Sequence, residues 1–338
     1  MKKKKQHRGR WAPFVLLVTV AVLVIAAIVA VSVLVFGGSK TAPESTTAAT
    51  TTQTDATQSQ TESTQPETTT APETTTEPET TAATTKPATS ANVTGNAAQG
   101  DVSVGSLVLV NADHLYSFPD VEKVHMTSDT GYTMAYDTLY MNKECYTAFQ
   151  SMCADFSAKY PQGDLLVISG FRTYQRQKEL FQNSVAKNGS YEAARKWTAL
   201  PGASDHHTGY AFDFSLDYEG DGIYSWIREN CYRYGFVVRF EASKSAITGI
   251  SNEPWHFRYV GVPHAYYMMQ NNLCLEEYID LLYDYPEDGQ HLTFTYEDGT
   301  EYEVYYVKGT DLSDVKKPAG NYTISGNNID GFIVTIAK

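Results

Sequence analysis

The chain has 338 residues, a formal net charge of −13 at pH 7 and 42% hydrophobic residues, a length that fits about two domains as a soft prior. The charge is uneven: residues 1–40 carry +7, residues 41–100 carry −6 and residues 101–338 carry −14. A folded part that acidic argues against nucleic acid as a partner, because phosphate binding needs a basic face.

Trp11 to Ser39 contains no charged residue and is mostly Val, Leu, Ile, Ala and Phe. This run exceeds the ~20 residues that a helix needs to cross a bilayer, so residues 11–39 read as a transmembrane anchor. Lys2, Lys3, Lys4, Lys5, Arg8 and Arg10 precede it. The positive-inside rule keeps residues 1–10 in the cytoplasm and sends everything after Ser39 outside. A cleaved secretory signal is the competing reading, but its apolar core would span only ~7–15 residues and no clear small-x-small cleavage site follows. Both readings put the rest of the chain outside the cytoplasm.

Residues 40–100 read as a disordered linker. Residues 41–100 contain 22 Thr and no aromatic residue, with a pattern of Glu-Thr-Thr and Pro-Glu-Thr repeats around Pro66, Pro72, Pro78 and Pro87. Such a segment cannot bury enough apolar surface to offset its chain entropy, and Thr, Pro and like charges extend it. It would hold the following domain away from the membrane.

Apolar and aromatic residues return in 101–285. Gly105–Asn111 reads as a short strand. Lys143–Lys159 places Cys145, Phe149, Met152 and Phe156 on one helical face. Asp164–Ser169 is an apolar run ending at Gly170 and reads as a buried strand; Tyr174–Lys187 reads as a helix. Tyr210–Phe214, Phe236–Phe240 and Trp255–Tyr259 read as strands, with a helix over Ile223–Tyr234. Helices and strands mix without a strict βαβ rhythm, which favours an α+β fold over a doubly wound sheet.

Residues 286–338 read as a small β-rich extension. His291–Glu297 and Thr300–Val307 flank Asp298-Gly299, a strong hairpin signal, and Asn321–Ser325 and Gly331–Ala337 are two further strand candidates. About fifty residues make a marginal core alone. The segment is therefore either an accessory module or an extension packed on the main domain.

The chemistry concentrates in two stretches, Ser204 to Asp213 and Asn252 to Arg258. His206, Asp213 and His256 supply two imidazoles and a carboxylate, a ligand set for Zn²⁺ that leaves a fourth position for water, as in catalytic zinc sites. Such a metal lowers the pKa of that water toward ~7, and a carboxylate nearby must then accept and return its proton. Glu253, three residues before His256, can do so without being a ligand. His207 would point away from His206 on an extended chain and reads as a non-ligand. His7, His114, His125, His264 and His291 lack such partners and read as structural.

These residues resemble the VanY-type D-alanyl-D-alanine carboxypeptidases, zinc peptidases of the LAS group. The family pattern Ser-x-His-x-x-Gly-x-Ala-x-Asp is met by Ser204, His206, Gly209, Ala211 and Asp213, and Glu-x-x-His by Glu253 and His256. The block Ser-Gly-Tyr-Arg-Ser-x-x-x-Gln is matched by Ser169, Gly170, Phe171, Arg172, Thr173 and Gln177, with Phe for Tyr and Thr for Ser. The resemblance covers about 105–272. It implies one zinc ion per catalytic domain, bound by His206, Asp213 and His256. It makes Glu253 the general base and assigns Arg172 to binding or polarising the substrate. Gln177 and Ser204 would contact substrate or orient the loop. It also implies the LAS/hedgehog-like fold, an antiparallel sheet flanked by helices.

The resemblance implies removal of C-terminal D-Ala from peptidoglycan stem peptides at the cell surface, which agrees with an anchored, outward-facing domain. An L,D-carboxypeptidase or an endopeptidase would share the same zinc chemistry. A non-catalytic zinc-containing cell-wall module is the alternative of a different class, and Glu253 beside a full ligand set argues against it. Cys145, Cys153, Cys231 and Cys274 lie where disulfides are allowed. Cys145 and Cys153 fall ~12 Å apart along one helix, too far to pair. Cys231 with Cys274 remains open, as do four buried thiols.

Overall fold

The computed structural model describes residues 101–129, 131–215 and 223–338. The anchor expected at 11–39 and the linker at 40–100 lie outside the described residues. Among the described residues, no helix is long and apolar enough to cross a membrane.

Three short strands open the described fold: β1 (Lys123–His125), β2 (Tyr132–Met134) and β3 (Tyr140–Asn142). The helix expected over Lys143–Lys159 is α1 and spans those residues. Its start is fixed by Asn142, whose side chain accepts the Glu144 backbone N–H, meeting one of the donors a helix leaves unpaired. After β4 (Leu165–Ser169) comes α2 (Tyr174–Asn188), capped by Thr173 and ended by Gly189 at φ 79°. Then follow β5 (Ala211–Phe214), α3 (Ile223–Asn230), β6 (Phe236–Phe240) and β7 (Glu253–Tyr259). Two helices, α4 (Val262–Gln270) and α5 (Leu275–Leu282), lead into β8 (Leu292–Thr295), β9 (Glu301–Lys308), β10 (Asn321–Gly326) and β11 (Gly331–Ala337).

The central sheet has five strands in the order β2-β4-β5-β7-β6. β4, β5, β7 and β6 pair antiparallel, but β2 runs parallel to β4. The fold is α+β as expected, and the sheet is mixed rather than purely antiparallel. The long crossover through α1 between β2 and β4 is what lets those two strands run the same way.

Side chains alternate across a strand, and this sheet uses the alternation to separate packing from chemistry. Phe212, Phe214 and Phe257 face α1, where they meet Phe149, Met152 and Phe156 in one buried cluster. Phe149 packs edge-on to Phe212 at 5.0 Å, and Phe212 stacks on Phe257 at 5.5 Å. Each such side chain contributes roughly 1.5–3 kcal/mol by leaving water. Asp213, between Phe212 and Phe214, and His256, next to Phe257, point to the opposite face.

Two sequence expectations need correction. Gly105–Asn111 forms no regular strand, although Leu107, Val108, Leu109 and Val110 are buried. The carbonyls of Ser106 and Val108 accept from the Arg258 guanidinium, at 2.8 and 3.0 Å, instead of from a neighbouring strand. The helix expected over Ile223–Tyr234 ends at Asn230. Cys231–Tyr234 tightens into a 3-10 turn closed by Gly235 at φ 85°.

The C-terminal strands form a second antiparallel sheet, β10-β11-β9-β8. Its hairpin around Asp298-Gly299 joins Thr295 to Glu301. This sheet packs on helices α4 and α5: Leu292, Val304, Tyr306 and Ile333 share one buried cluster with Ala265, Met268, Leu275, Tyr278, Ile279 and Leu282. Leu107 and Leu109 belong to the same cluster, and the Leu109 N–H donates to the Asn327 carbonyl. All four cysteines are buried free thiols, so Cys231 and Cys274 are not paired.

Candidate active site

Antiparallel register assembles the site. Asp213 on β5 sits opposite Ser169 on β4 and opposite His256 on β7, a single row across three strands. Glu253 begins β7 and pairs with Phe240 at the end of β6. His206 comes from the 3-10 turn Asp205–Thr208 just before β5. That turn closes at Gly209 with φ +77°, where an added Cβ would also meet the Asn142 backbone nitrogen at 3.0 Å, so a side chain there would be strained and crowded.

The three expected ligands converge. His206 Nε2 lies 3.2 Å from Asp213 Oδ2, and His256 Nδ1 lies 3.1 Å from Asp213 Oδ1. One ligand atom from each of the three buried residues falls within 4.8 Å of the others. The two histidines therefore face Asp213 with different nitrogens. His206 has its other nitrogen, Nδ1, 2.7 Å from the Gly170 carbonyl, which accepts its proton and leaves Nε2 free for a cation.

Two observations fit a cation here. Asp213 Oδ1 is buried without a hydrogen-bond partner, an uncommon state for a buried polar atom. Protonation follows the same sense at His206 and Asp213. Burial, reinforced by Arg172, brings His206 down to about 4, which keeps it neutral at pH 7. Burial alone would raise Asp213, yet His206 and His256 hold it well below the usual carboxylate range. At His256 burial acts against charge, but Asp213, Glu253 and Asp205 outweigh it and raise the imidazole above its usual value, so a metal ion there would replace a proton.

Glu253 has its Oε2 3.6 Å from His256 Nδ1, with a side chain only 13% exposed. Burial pushes its carboxyl up to about 7, with His256 acting in the opposite sense. It is thus poised to take and release a proton near neutral pH.

Arg172 stands on the same side, 3.7 Å from Asp213 Oδ2. Its Nη1 donates to Gln177 Oε1 at 2.7 Å and its Nη2 to Ser169 Oγ at 2.8 Å. Gln177 is buried and its Nε2 donates to the Ala199 carbonyl at 2.7 Å. Both ends of its amide are engaged within the chain, so it orients Arg172. Ser204 is buried, and its carbonyl accepts the His207 N–H at 3.0 Å.

His207 does not follow an extended chain, because residues 205–208 form a turn. Its Nε2 accepts the Gly202 N–H at 3.1 Å, which leaves the proton on Nδ1 to donate to the Arg172 carbonyl at 2.7 Å. It braces the arginine loop and is not a ligand. His264 is buried between the Tyr278 and Thr335 hydroxyls, far in sequence from the site. Sequence reasoning passed over Asp205, Arg239 and Arg258, which lie buried beneath the ligands; three charged residues within or beside predicted strands were the available signal.

Two buried imidazoles and a carboxylate around a common point, with a protonatable glutamate and an arginine beside them, define a metal-dependent hydrolase. Comparison with known proteins narrows the class. The VanY profile, D-alanyl-D-alanine carboxypeptidase, matches residues 138–262. A D-alanyl-D-alanine carboxypeptidase of Enterococcus faecium is 33% identical over 245 residues, covering 69% of this chain and 75% of the relative. One of Enterococcus faecalis is 36% identical over 194 residues, covering 54% of this chain and 68% of the relative. Among solved structures, the vancomycin-resistance D,D-dipeptidase VanXYg in complex with a D-Ala-D-Ala phosphinate analog aligns with a TM-score of 0.62 and 34% identity, over 70% of this chain and 96% of that one. The chain belongs to the VanY family of D-alanyl-D-alanine carboxypeptidases.

Proposed function

We propose that this protein is a zinc-dependent carboxypeptidase that removes the terminal D-Ala from D-Ala-D-Ala-ended peptidoglycan stem peptides at the outer face of the membrane. The convergence of His206, Asp213 and His256 beside Glu253 and Arg172 carries this reading. His206 Nε2, an Asp213 oxygen and His256 Nδ1 would hold the ion. Zinc at this position supplies Lewis acidity, which makes water and the scissile carbonyl reactive at neutral pH.

The chain's own residues do the rest. Glu253 takes the proton of the attacking water and returns it to the leaving amine. Arg172, fixed by Gln177 and Ser169, retains N–H donors for the terminal carboxylate of the substrate or for the charge that develops on the carbonyl oxygen. His207 keeps the Arg172 backbone in place. The residues 11–39 with their basic prelude support a single membrane span, N-terminus inside, and the Thr-rich linker supports a tethered domain facing the wall.

Glu253→Ala tests the mechanism. The variant is expected to keep zinc, since Glu253 is not a ligand, and to lose hydrolysis of a D-Ala-D-Ala-ended peptide by at least ~10²-fold, the scale of general acid–base catalysis. Full activity of the zinc-loaded variant contradicts the assigned role.

A further inference from the structure

Beneath the site lies a buried set of charges that the proposed chemistry does not use. Asp205 is 2% exposed and directly precedes His206. Arg239 donates through Nε to Asp205 Oδ2 at 2.8 Å, and Arg258 Nη1 lies 3.4 Å from Asp205 Oδ1. The other two nitrogens of Arg239 grip Glu276 as a fork, at 2.8 and 2.7 Å. Glu276 belongs to α5, outside the family-matched span of 138–262, and also accepts from Asn111 Nδ2 at 3.3 Å.

This set points at one ligand. His256 turns Nδ1 toward Asp213 and Glu253, so its Nε2 faces the other way, into the protein. That atom is buried without a hydrogen bond, and Asp205 Oδ2 lies 4.0 Å from it. When Nδ1 binds a cation, the ring proton must sit on Nε2. A metal-bound imidazole characteristically donates its second N–H to a carboxylate or carbonyl. His206 already has such an acceptor in the Gly170 carbonyl. For His256 a shift of about 1 Å brings Asp205 within ordinary hydrogen-bond distance. The Phe240 ring packs 4.9 Å from the imidazole and restricts other orientations.

We propose that Asp205 is a positioning residue for His256. Glu276 and Arg239 hold that carboxylate in place, which makes α5 part of the metal site's support. The proposal rests on the metal-site reading above. Asp205 fixes the tautomer and angle of His256, and its negative charge strengthens the imidazole as a ligand. Glu276 acts one step further away, by orienting the arginine that Asp205 needs.

The test compares full-chain wild type, Asp205→Asn and Glu276→Gln by zinc affinity in chelator competition, with thermal unfolding of the metal-free proteins as a check of folding. Asp205→Asn is expected to weaken zinc binding roughly 10–100-fold, and Glu276→Gln to weaken it less, in the same direction. Raising free zinc should restore kcat with KM unchanged. Zinc affinity within twofold of wild type in both variants overturns the proposal. Should Asp205→Asn not fold, nitrogen NMR of the zinc-loaded wild type decides. A His256 Nε2–H that is hydrogen-bonded and slow to exchange supports the proposal. A zinc ion bound through Nε2 overturns it and leaves the metal site standing. Absence of zinc binding by wild type overturns the metal-site reading and the proposal with it.

Discussion

Glu253 offers the sharpest physical prediction, because its proton affinity links the site to folding. Burial lifts its carboxyl from 4.5 to about 7, and its side chain is 13% exposed, so solvent screens little of the effect. At ~1.36 kcal/mol per pKa unit the difference amounts to about 3 kcal/mol. In the metal-free protein the folded state holds this proton more tightly than the unfolded chain does. The stabilisation is therefore complete below pH 4.5 and is lost as pH rises through about 7. Glu253→Gln removes the titration and leaves His206, Asp213 and His256 in both proteins. Urea unfolding of the metal-free pair between pH 4.5 and 8.5 should show wild type losing about 3 kcal/mol relative to the variant. His256 Nδ1 lies 3.6 Å from Glu253 Oε2, so a cation held by that nitrogen would favour the ionised form, and saturating zinc should flatten the difference. A wild-type profile that runs parallel to the variant without metal, or that gains on it with rising pH, refutes the reasoning.

Two further outcomes follow from the geometry. Arg172→Lys cannot bond Gln177 and Ser169 together and still present a fork to a carboxylate; kcat/KM on a D-Ala-D-Ala-ended peptide should fall by roughly 10–100-fold, at the ~1.5–3 kcal/mol of a charge-assisted bond, through KM where it holds the terminal carboxylate and through kcat where it holds the oxyanion, and an unchanged kcat/KM contradicts its role. A chain ending at residue 285 strips Leu292, Val304, Tyr306 and Ile333 from Leu275, Tyr278, Ile279 and Leu282. At roughly 1.5–3 kcal/mol per side chain, that loss approaches the ~5–15 kcal/mol by which domains are stable. Near-UV circular dichroism should show the tertiary signal lost, and a cooperative transition at the wild-type Tm contradicts the shared core.

The site was legible because the residues that carry it cluster in short stretches whose spacing the strands preserve. Asp213 and His256 sit on runs that alternate apolar and polar side chains, so their strands, and the face they share, follow from local pattern. What the pattern cannot express is pairing. Nothing local says that β2 would run parallel to β4, or that Asp213 would lie opposite His256. Gly105–Asn111 looks like a strand because its side chains are apolar, but its carbonyls are taken by Arg258, about 150 residues away. Helix α5 was visible in principle: Leu275, Tyr278, Ile279 and Leu282 fall at helical intervals and are all buried. The ties from Gln177 to Arg172, and from Glu276 through Arg239 to Asp205, depend on tertiary contacts that spacing does not carry.

The most direct test of the central claim is product identification. Full-length protein is incubated with a defined stem pentapeptide ending in D-Ala-D-Ala, with zinc, with a chelator, and with zinc restored, and the products are weighed by mass spectrometry. A single terminal alanine should be released, with release abolished by the chelator and recovered with zinc. Release of the dipeptide, cleavage inside the stem, or cleavage indifferent to the chelator would contradict it.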